Sequence, residues 1–129
     1  MSILLGVLEA IGTDLVEIAR IKRALERYGE RFLRRVYTER ERTYALDHQD
    51  PIPALAARFA AKEAFQKCWP EPLSFQDVWV ELMGRRPVLR FSERLRSRME
   101  GAGLRAHLSL SHERGYALAV VVLESLEAE

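Results

Sequence analysis

Hydrophobic positions change their spacing along the first part of the chain, and each change predicts a different element. Residues 3–12 form a nearly continuous apolar run, which is typical of a buried strand. Residues 13–29 then follow helical spacing, with Gly29 as a C-terminal stop signal. The side chains predicted to share the buried face of that helix are Leu15, Ile18, Ile21 and Leu25.

Two further helices are predicted before the middle of the chain. Thr38 followed by Glu41 is a capping-box signature, so a helix is expected from about residue 39 to 47. The prolines within residues 50–53 interrupt the chain before a longer, alanine-rich helix over residues 54–69.

The second half of the chain has mostly the pattern of strands. Strands are predicted over residues 74–82, 87–91, 105–112 and 116–124, with one helix beginning after Ser92. The last strand is apolar on both faces, which favours a central place in a sheet. The prediction is therefore a single domain of residues 1–129 in the α+β class, with helices in the first half packed on a small antiparallel sheet.

Composition agrees with a globular protein and excludes several classes. Of the 129 residues, 48% are hydrophobic and 30% are charged, and the net charge of +1 gives no general reason to expect nucleic acid as a partner. The single cysteine, Cys68, excludes an internal disulfide. The apolar N-terminal run has no basic flank and is too short to span a membrane, so a cytoplasmic protein is expected.

The small net charge hides a basic segment. Residues 20–42 contain nine Lys or Arg side chains against four Glu side chains. Three of the cations, Arg20, Arg23 and Arg27, form one stripe at helical spacing. The stripe is either a solvated face or a docking face for an acidic partner, which could be a protein or a phosphate-rich molecule.

The alanine-rich helix carries an acid where a buried side chain is expected. On a helical wheel, Glu63 falls between Phe59 and Ala56, on the side turned to the core. A carboxylate in that position requires a partner, either Lys67 one turn later or a metal ion. Arg58 and Lys62 form a like-charged pair one turn apart, which an anionic ligand shared between them would stabilise.

Asp14 is the second candidate ligand. It stands where the predicted first strand gives way to the predicted first helix, and with Glu17 it is also consistent with a helix cap. One carboxylate from each of Asp14 and Glu63 matches the donor set of Mg²⁺, which keeps several waters and binds substrate phosphates. His112 ends a strand, where a lone histidine is more often structural than catalytic. The sequence contains no zinc-binding spacing, Walker loop or serine-hydrolase motif.

Three segments carry a family resemblance that covers nearly the whole chain. They are IGTDLVEIARI at 11–21, RFAAKEAFQK at 58–67 and HLSLSHERGYALAVVV at 107–122. In this order they resemble the short bacterial holo-[acyl-carrier-protein] synthases of the 4′-phosphopantetheinyl transferase family.

The resemblance implies a reaction and its participants. Such enzymes move the phosphopantetheine arm of coenzyme A to a serine of an apo acyl carrier protein, releasing adenosine 3′,5′-bisphosphate, with Mg²⁺ and in support of fatty acid biosynthesis. Asp14 and Glu63 match the metal carboxylates, and Arg20 matches a position on the helix that docks the carrier protein, which favours the stripe as an interface. The positions that match contacts to coenzyme A are Arg58, Lys62, Lys67 and His112. A homotrimer with active sites between subunits is also implied.

A mechanism follows from these matches. Asp14 and Glu63 would hold Mg²⁺ at the pyrophosphate, and Lys62 would stabilise charge on the same phosphates. Glu63, or a water that it orients, would accept the proton of the carrier serine. The alternatives are another Mg²⁺-dependent nucleotide phosphotransferase or a non-catalytic module that binds coenzyme A or a carrier protein.

Two segments depart from the family pattern. Residues 68–73 carry prolines where a glycine-rich turn is usual, and Gly84 and Pro87 are spaced one residue wider than the usual Gly-x-Pro. The resemblance therefore gives no coenzyme A contacts for either segment.

Overall fold

The computed structural model describes residues 4–128, and their helices and antiparallel strands confirm the predicted α+β class. The predicted single domain of residues 1–129 extends beyond the described residues at both ends. In chain order the elements are β1 (Leu4–Glu17), α1 (Ile18–Tyr28), α2 (Glu30–Val36), α3 (Glu39–Leu46), α4 (Ile52–Cys68), β2 (Val78–Met83), β3 (Arg86–Phe91), α5 (Glu93–Gly101), β4 (Leu104–Glu113) and β5 (Tyr116–Ala128).

The strands form two antiparallel sheets. The larger has the order β1-β5-β4, so the strand predicted to be central is central. The smaller is the β2–β3 hairpin, which Gly84 and Arg85 close with Gly84 at a φ of 62°. A positive φ favours glycine, which explains this residue at the turn.

The predicted helix over residues 13–29 is wrong in its first part, because β1 continues to Glu17. Backbone pairing with β5 extends as far as Glu17 opposite Tyr116. Side chains alternate accordingly: Val16 is 1% exposed, whereas Leu15, predicted to face the core, is 62% exposed on the far side of the sheet. Asp14 consequently lies within a strand and does not cap a helix. The predicted strand start at Ile3 lies outside the described residues.

The first helical region is also divided in two. Gly29, at a φ of 57°, ends α1, and its N–H donates to the carbonyl of Leu25 over 2.8 Å. The short helix α2 that follows was not predicted, and it buries Leu33 and Val36. The capping box of α3 is confirmed, with Thr38 and Glu41 exchanging both hydrogen bonds.

Helix α4 packs across the inner face of the larger sheet and approaches β1 closely. Its buried residues include Ala56, Ala60 and Ala64, which have the smallest side chains compatible with a helix. A methyl group added at Gly12 would lie 2.0 Å from the carbonyl oxygen of Ala64. Small residues on both elements therefore bring α4 against β1, and with it Glu63 towards Asp14. Among the described helices, none is long and apolar enough to cross a membrane.

Candidate active site

Asp14 and Glu63 approach each other across the contact between β1 and α4. Asp14 pairs with Ala119 of β5, whose side chain is fully buried, so the Asp14 side chain also points to the helix-covered face. Its side chain is 18% exposed. Glu63 is half-buried on α4, between the buried residues Lys62 and Ala64. The predicted pair of carboxylates is thus brought together from two different elements.

The proximity of Asp14 affects the ionisation of Glu63. Burial raises the pKa of Glu63, and the negative charge of Asp14 raises it further. The cations of Arg20 and Lys67 act in the opposite direction. Two acids and two cations therefore share one partly enclosed environment.

Lys67 is paired with Asp14 and not with Glu63. Its ammonium donates to the Thr13 carbonyl over 2.6 Å and lies 3.5 Å from Asp14 Oδ1. Across the described residues, no ion pair joins Lys67 to Glu63 within 4.0 Å, although the sequence spacing allowed one. The Lys67 side chain is 56% exposed, so this cation is open to an incoming anion.

The basic stripe on α1 extends to this site. Arg20 places its guanidinium 5.7 Å from the centre of the Phe59 ring, one helical turn before Glu63 on α4. Farther along α1, Arg23 pairs with Glu17 at 3.2 Å, and Arg27 lies over the Tyr28 ring. The stripe thus begins beside the two carboxylates and runs outwards over exposed surface.

A small cavity of about 170 Å³ opens beside Glu63. Its walls combine the end of α4 with the connection that leads to β2. Gln66 ties these walls together, since its amide accepts from the N–H of Leu73 and donates to the carbonyl of Glu71, both over 2.9 Å. The proline-containing segment is therefore held against the helix as a fixed wall.

Lys62, predicted from the resemblance to contact the coenzyme A phosphates, lies in the interior beside Glu41. Its side chain is 1% exposed, and its ammonium lies 2.8 Å from a carboxylate oxygen of Glu41. It also donates to the carbonyls of Phe75 and Val78, each over 2.6 Å. An ammonium has three N–H donors, and all three are engaged here. This placement is at odds with a direct phosphate contact, because helical geometry turns Lys62 100° away from Glu63 and into the interior.

Arg58 lies on the same side of α4 as Lys62, but it borders a cleft. The residue is 5% exposed, and its guanidinium lies 4.2 Å from the centre of the Tyr44 ring. One amino group donates to the carbonyl of Ala54 over 3.3 Å, while the buried Nε–H finds no hydrogen-bond acceptor among the described residues. The cleft has a volume of about 680 Å³ and is also lined by Arg40. The guanidinium of Arg58 is therefore a buried cation at the wall of this cleft.

His112 shares a sheet face with Asp14 but does not contact it. His112 pairs with Ala117, which in turn pairs with Val16, so the three side chains point to the same face as Asp14. Two interstrand spacings separate β4 from β1, or about 10 Å. The structure therefore leaves His112 exposed at the edge of the sheet face that carries Asp14.

The site fits a divalent cation of the magnesium type. Where the structure describes the chain, no cluster of three or more His, Cys, Asp or Glu residues could hold a metal. Two converging carboxylates, one of them with a raised pKa, match a cation that takes one or two carboxylates and completes its shell with water and phosphate oxygens. The alternative of a zinc site is disfavoured, because zinc sites generally use three or four protein ligands.

Sequence reasoning missed Glu41 as a buried partner. Its capping role at the start of α3 was predicted, but the same carboxylate also receives Lys62 and the N–H of Val80. The sequence held no signal for this burial, since a capping box predicts a residue at the start of a helix and not a buried one. The pairing itself required the tertiary structure.

Comparisons with known proteins identify the family of the chain. Residues 10–121 match the model of the 4′-phosphopantetheinyl transferase superfamily. The chain is similar to the holo-[acyl-carrier-protein] synthase of Thermus thermophilus, with 65% identity over 116 residues that cover 90% of this chain and 93% of the relative.

Solved structures show the same relationship. The holo-[acyl-carrier-protein] synthase of Neisseria meningitidis superposes with a TM-score of 0.85 at 33% identity, covering 92% of this chain and 100% of that one. The holo-(acyl-carrier-protein) synthase of Bacillus anthracis, solved in complex with CoA (3′,5′-ADP), gives a TM-score of 0.76 at 34% identity, covering 92% and 97%. The family predicted from the three sequence segments is confirmed, and the chain belongs to the 4′-phosphopantetheinyl transferase superfamily.

Proposed function

We propose that the protein transfers the 4′-phosphopantetheine group of coenzyme A to a serine of an apo acyl carrier protein. The observation that carries this proposal is the convergence of Asp14 and Glu63 between β1 and α4, with Lys67 and Arg20 beside them. The names of the relatives support the reaction, and the Bacillus anthracis complex supports coenzyme A as the donor.

The reaction is a phosphoryl transfer in which one P–O bond replaces another. The serine oxygen attacks the phosphorus that bears the pantetheine arm, and the bond from that phosphorus to the adenosine-linked phosphate breaks. Glu63, or a water that it orients, accepts the serine proton; burial and the charge of Asp14 raise the pKa of this carboxylate. Asp14 and Glu63 would hold a Mg²⁺ ion, which when bound neutralises charge on the two phosphates.

Cations beside the two carboxylates and at the neighbouring cleft bind the donor in this proposal. Lys67 contacts the phosphates near Asp14, because its ammonium is already there and open to solvent. Arg58 takes an anionic oxygen of coenzyme A at the wall of the 680 Å³ cleft, which it lines together with Arg40. His112 also contacts coenzyme A in this proposal, from its exposed position at the edge of the sheet face that carries Asp14.

The stripe of Arg20, Arg23 and Arg27 docks the acidic carrier protein. Its inner end lies near Glu63, so a carrier bound along α1 would present its serine at the site. Arg20→Glu is expected to raise the KM for the carrier by about tenfold, since a favourable charge contact becomes repulsive. The KM for coenzyme A should stay near its original value, and Arg96→Glu on α5 is the matched control. Equal loss of both affinities would refute the docking face.

A homotrimer with active sites between subunits completes the proposal. The far face of the larger sheet exposes apolar side chains in neighbouring rows, where Leu15 pairs with Leu118 and Ile11 with Val122. Leu15, Ile11 and Leu118 are 62%, 58% and 38% exposed. Such a contiguous patch is typical of an interface. Residues 1–129 would act as one cytoplasmic domain that serves fatty acid biosynthesis.

Mass spectrometry of an apo carrier protein tests the reaction. Incubation with the protein, coenzyme A and Mg²⁺ should add one phosphopantetheine to the carrier, and chelation with EDTA should abolish the gain. Several carrier proteins are compared, because the site does not define which one is used. A nucleotide phosphotransferase would leave the carrier mass unchanged while consuming another nucleotide. A binding module would retain the carrier and coenzyme A without any mass change, and either result overturns the proposal.

A further inference from the structure

Lys62 and Glu41 form a buried ion pair at the junction of α3, α4 and β2. Their side chains are 1% and 0% exposed, and the charged atoms are 2.8 Å apart. Burial lowers the pKa of Lys62, and the charge of Glu41 opposes that change. Charges removed from water in this way are tolerated only when their hydrogen-bonding capacity is satisfied.

The pair satisfies that condition by joining four parts of the chain. Glu41 accepts from the backbone N–H of Thr38 over 3.1 Å and from the N–H of Val80 over 2.9 Å. Lys62 donates to the carbonyls of Phe75 and Val78. These hydrogen bonds connect four parts of the chain: the start of α3, the middle of α4, the connection after α4 and the strand β2.

These contacts of Lys62 lie next to Glu63 and therefore affect the geometry of the site. Successive helical residues point 100° apart, so fixing the direction of Lys62 also fixes that of Glu63. The cavity beside Glu63 is lined by Lys62, Phe75 and Val78 as well, and these are the residues joined by the ammonium. The same contacts therefore set the rotation of α4 and hold the opposite wall of the cavity.

We propose that Lys62 is a positioning residue that, through Glu41 and two backbone carbonyls at and before the start of β2, aims Glu63 at Asp14. It acts through the fold and does not touch the substrate phosphates. This inference rests on the function proposed above, because it takes Asp14 and Glu63 as the residues that hold the cation.

Two variants test the inference. Lys62→Met removes the ammonium with little change in length, but it leaves Glu41 charged, buried and unpaired, which is strongly destabilising. The double variant Glu41→Gln with Lys62→Met removes both charges, and glutamine remains compatible with the capping box. Lys22→Met, on the exposed side of α1, is the charge-matched control. Circular dichroism defines a temperature at which each variant is folded, and all measurements are made below it.

Metal affinity is the decisive readout, because it requires no turnover. Mn²⁺ binding, followed by electron paramagnetic resonance in the absence of coenzyme A, should weaken by about tenfold or more in the folded variants. The Glu63→Gln variant, which lacks one of the two proposed metal carboxylates, is the reference for loss of Mn²⁺ binding. The kcat for phosphopantetheine transfer should fall on the order of 10²-fold, as expected for a misplaced catalytic group. The KM for coenzyme A should stay within about threefold of the original value, since no contact to coenzyme A is removed.

Other outcomes overturn the inference. Unchanged Mn²⁺ affinity with weaker binding of coenzyme A would make Lys62 a direct phosphate ligand. If Mn²⁺ affinity and kcat are unchanged and only the melting temperature falls, the ion pair stabilises the fold and has no positioning role. Failure of both variants to fold would lead to the same conclusion. Absence of transfer by the unmodified protein would refute the proposed reaction, whereas the Mn²⁺ comparison would still test the role of Lys62.

Discussion

Glu63 combines its proposed chemical role with an unfavourable environment. It is half-buried, close to a second acid, and only partly compensated by Arg20 and Lys67. We expect Glu63→Gln to leave the fold intact, because the amide has nearly the same shape. The kcat for transfer should fall by about 10²–10⁴-fold, since the amide cannot accept a proton. Carrier mass gain over time measures this, with Glu100→Gln on α5 as the control. Full activity of the variant would reduce Glu63 to a partly buried carboxylate without a catalytic role.

The same side chain should make stability depend on pH. The pKa of Glu63 is raised above its ordinary value of 4.5, so the folded state binds more protons than the unfolded state between these two values. Stability contributed by this group is therefore lost as the pH rises through that window. In EDTA, Glu63→Gln should melt at the same temperature as the unmodified protein at about pH 4, and at a higher temperature near neutrality. Thermal unfolding at several pH values measures the difference, and a difference independent of pH would contradict the expectation.

Side chains on α4 show what the sequence could predict about single residues. The helical wheel singled out Glu63 as an acid in need of compensation, and burial does raise its pKa. Asp14 was proposed as its neighbour from its place after the first strand. The helical wheel could not distinguish Arg58 and Lys62, which have the same charge and lie on the same side of the helix. Their surroundings differ because β2 and α3 enclose Lys62, whereas Arg58 borders a cleft. The contacts of Lys62 join residues 13 to 21 positions apart in the chain, which local spacing does not encode.

At the scale of elements, β1 shows why sequence patterns misplaced a boundary. Residues 13–17 satisfy helical spacing, yet they form a strand because β5 offers backbone partners along their whole length. The alternation that matters is between Val16, which is buried, and Leu15, which is exposed. Leu15 is apolar although it faces outwards, so the pattern of hydrophobic positions alone gave the wrong period. The capping box of α3 and the central strand β5 were predicted correctly, since their signals are local or unusually strong.

The close approach of β1 and α4 gives a prediction about the element contact. A methyl group at Gly12 would lie 2.0 Å from the carbonyl oxygen of Ala64, so Gly12→Ala must displace the strand or the helix. We expect a loss of about 1–3 kcal/mol in the free energy of unfolding. Transfer activity should fall as well, because the displaced elements carry Asp14 and Glu63. Urea denaturation measures the stability change.

Gly101 in α5 is the matched control for this substitution. A methyl group added there meets no atom within 4 Å, so Gly101→Ala should leave both stability and activity nearly unchanged. Equal stability of the two variants would show that β1 and α4 can separate without cost, and that Gly12 is not needed for their contact.

Across the whole molecule, the two faces of the larger sheet have different partners. One face is covered by α4 and carries Asp14, whereas the other leaves Ile11 and Leu15 exposed in rows with β5. The proposed homotrimer would cover this second face. Because Ile11 and Asp14 point to opposite sides of β1, assembly can be disturbed without altering the acids within a subunit.

Replacement of Ile11 by an acid tests the assembly. Ile11→Glu should convert a species with the mass of three chains into one of 14.9 kDa, because a carboxylate cannot be buried at an apolar interface without a partner. Light scattering after size-exclusion chromatography measures the mass. Transfer activity should be lost in the same variant, since the proposed active sites require two subunits. Leu46→Glu, at an exposed position of α3, is the control and should change neither property. An active monomer would show that one chain contains a complete site, and would refute active sites between subunits.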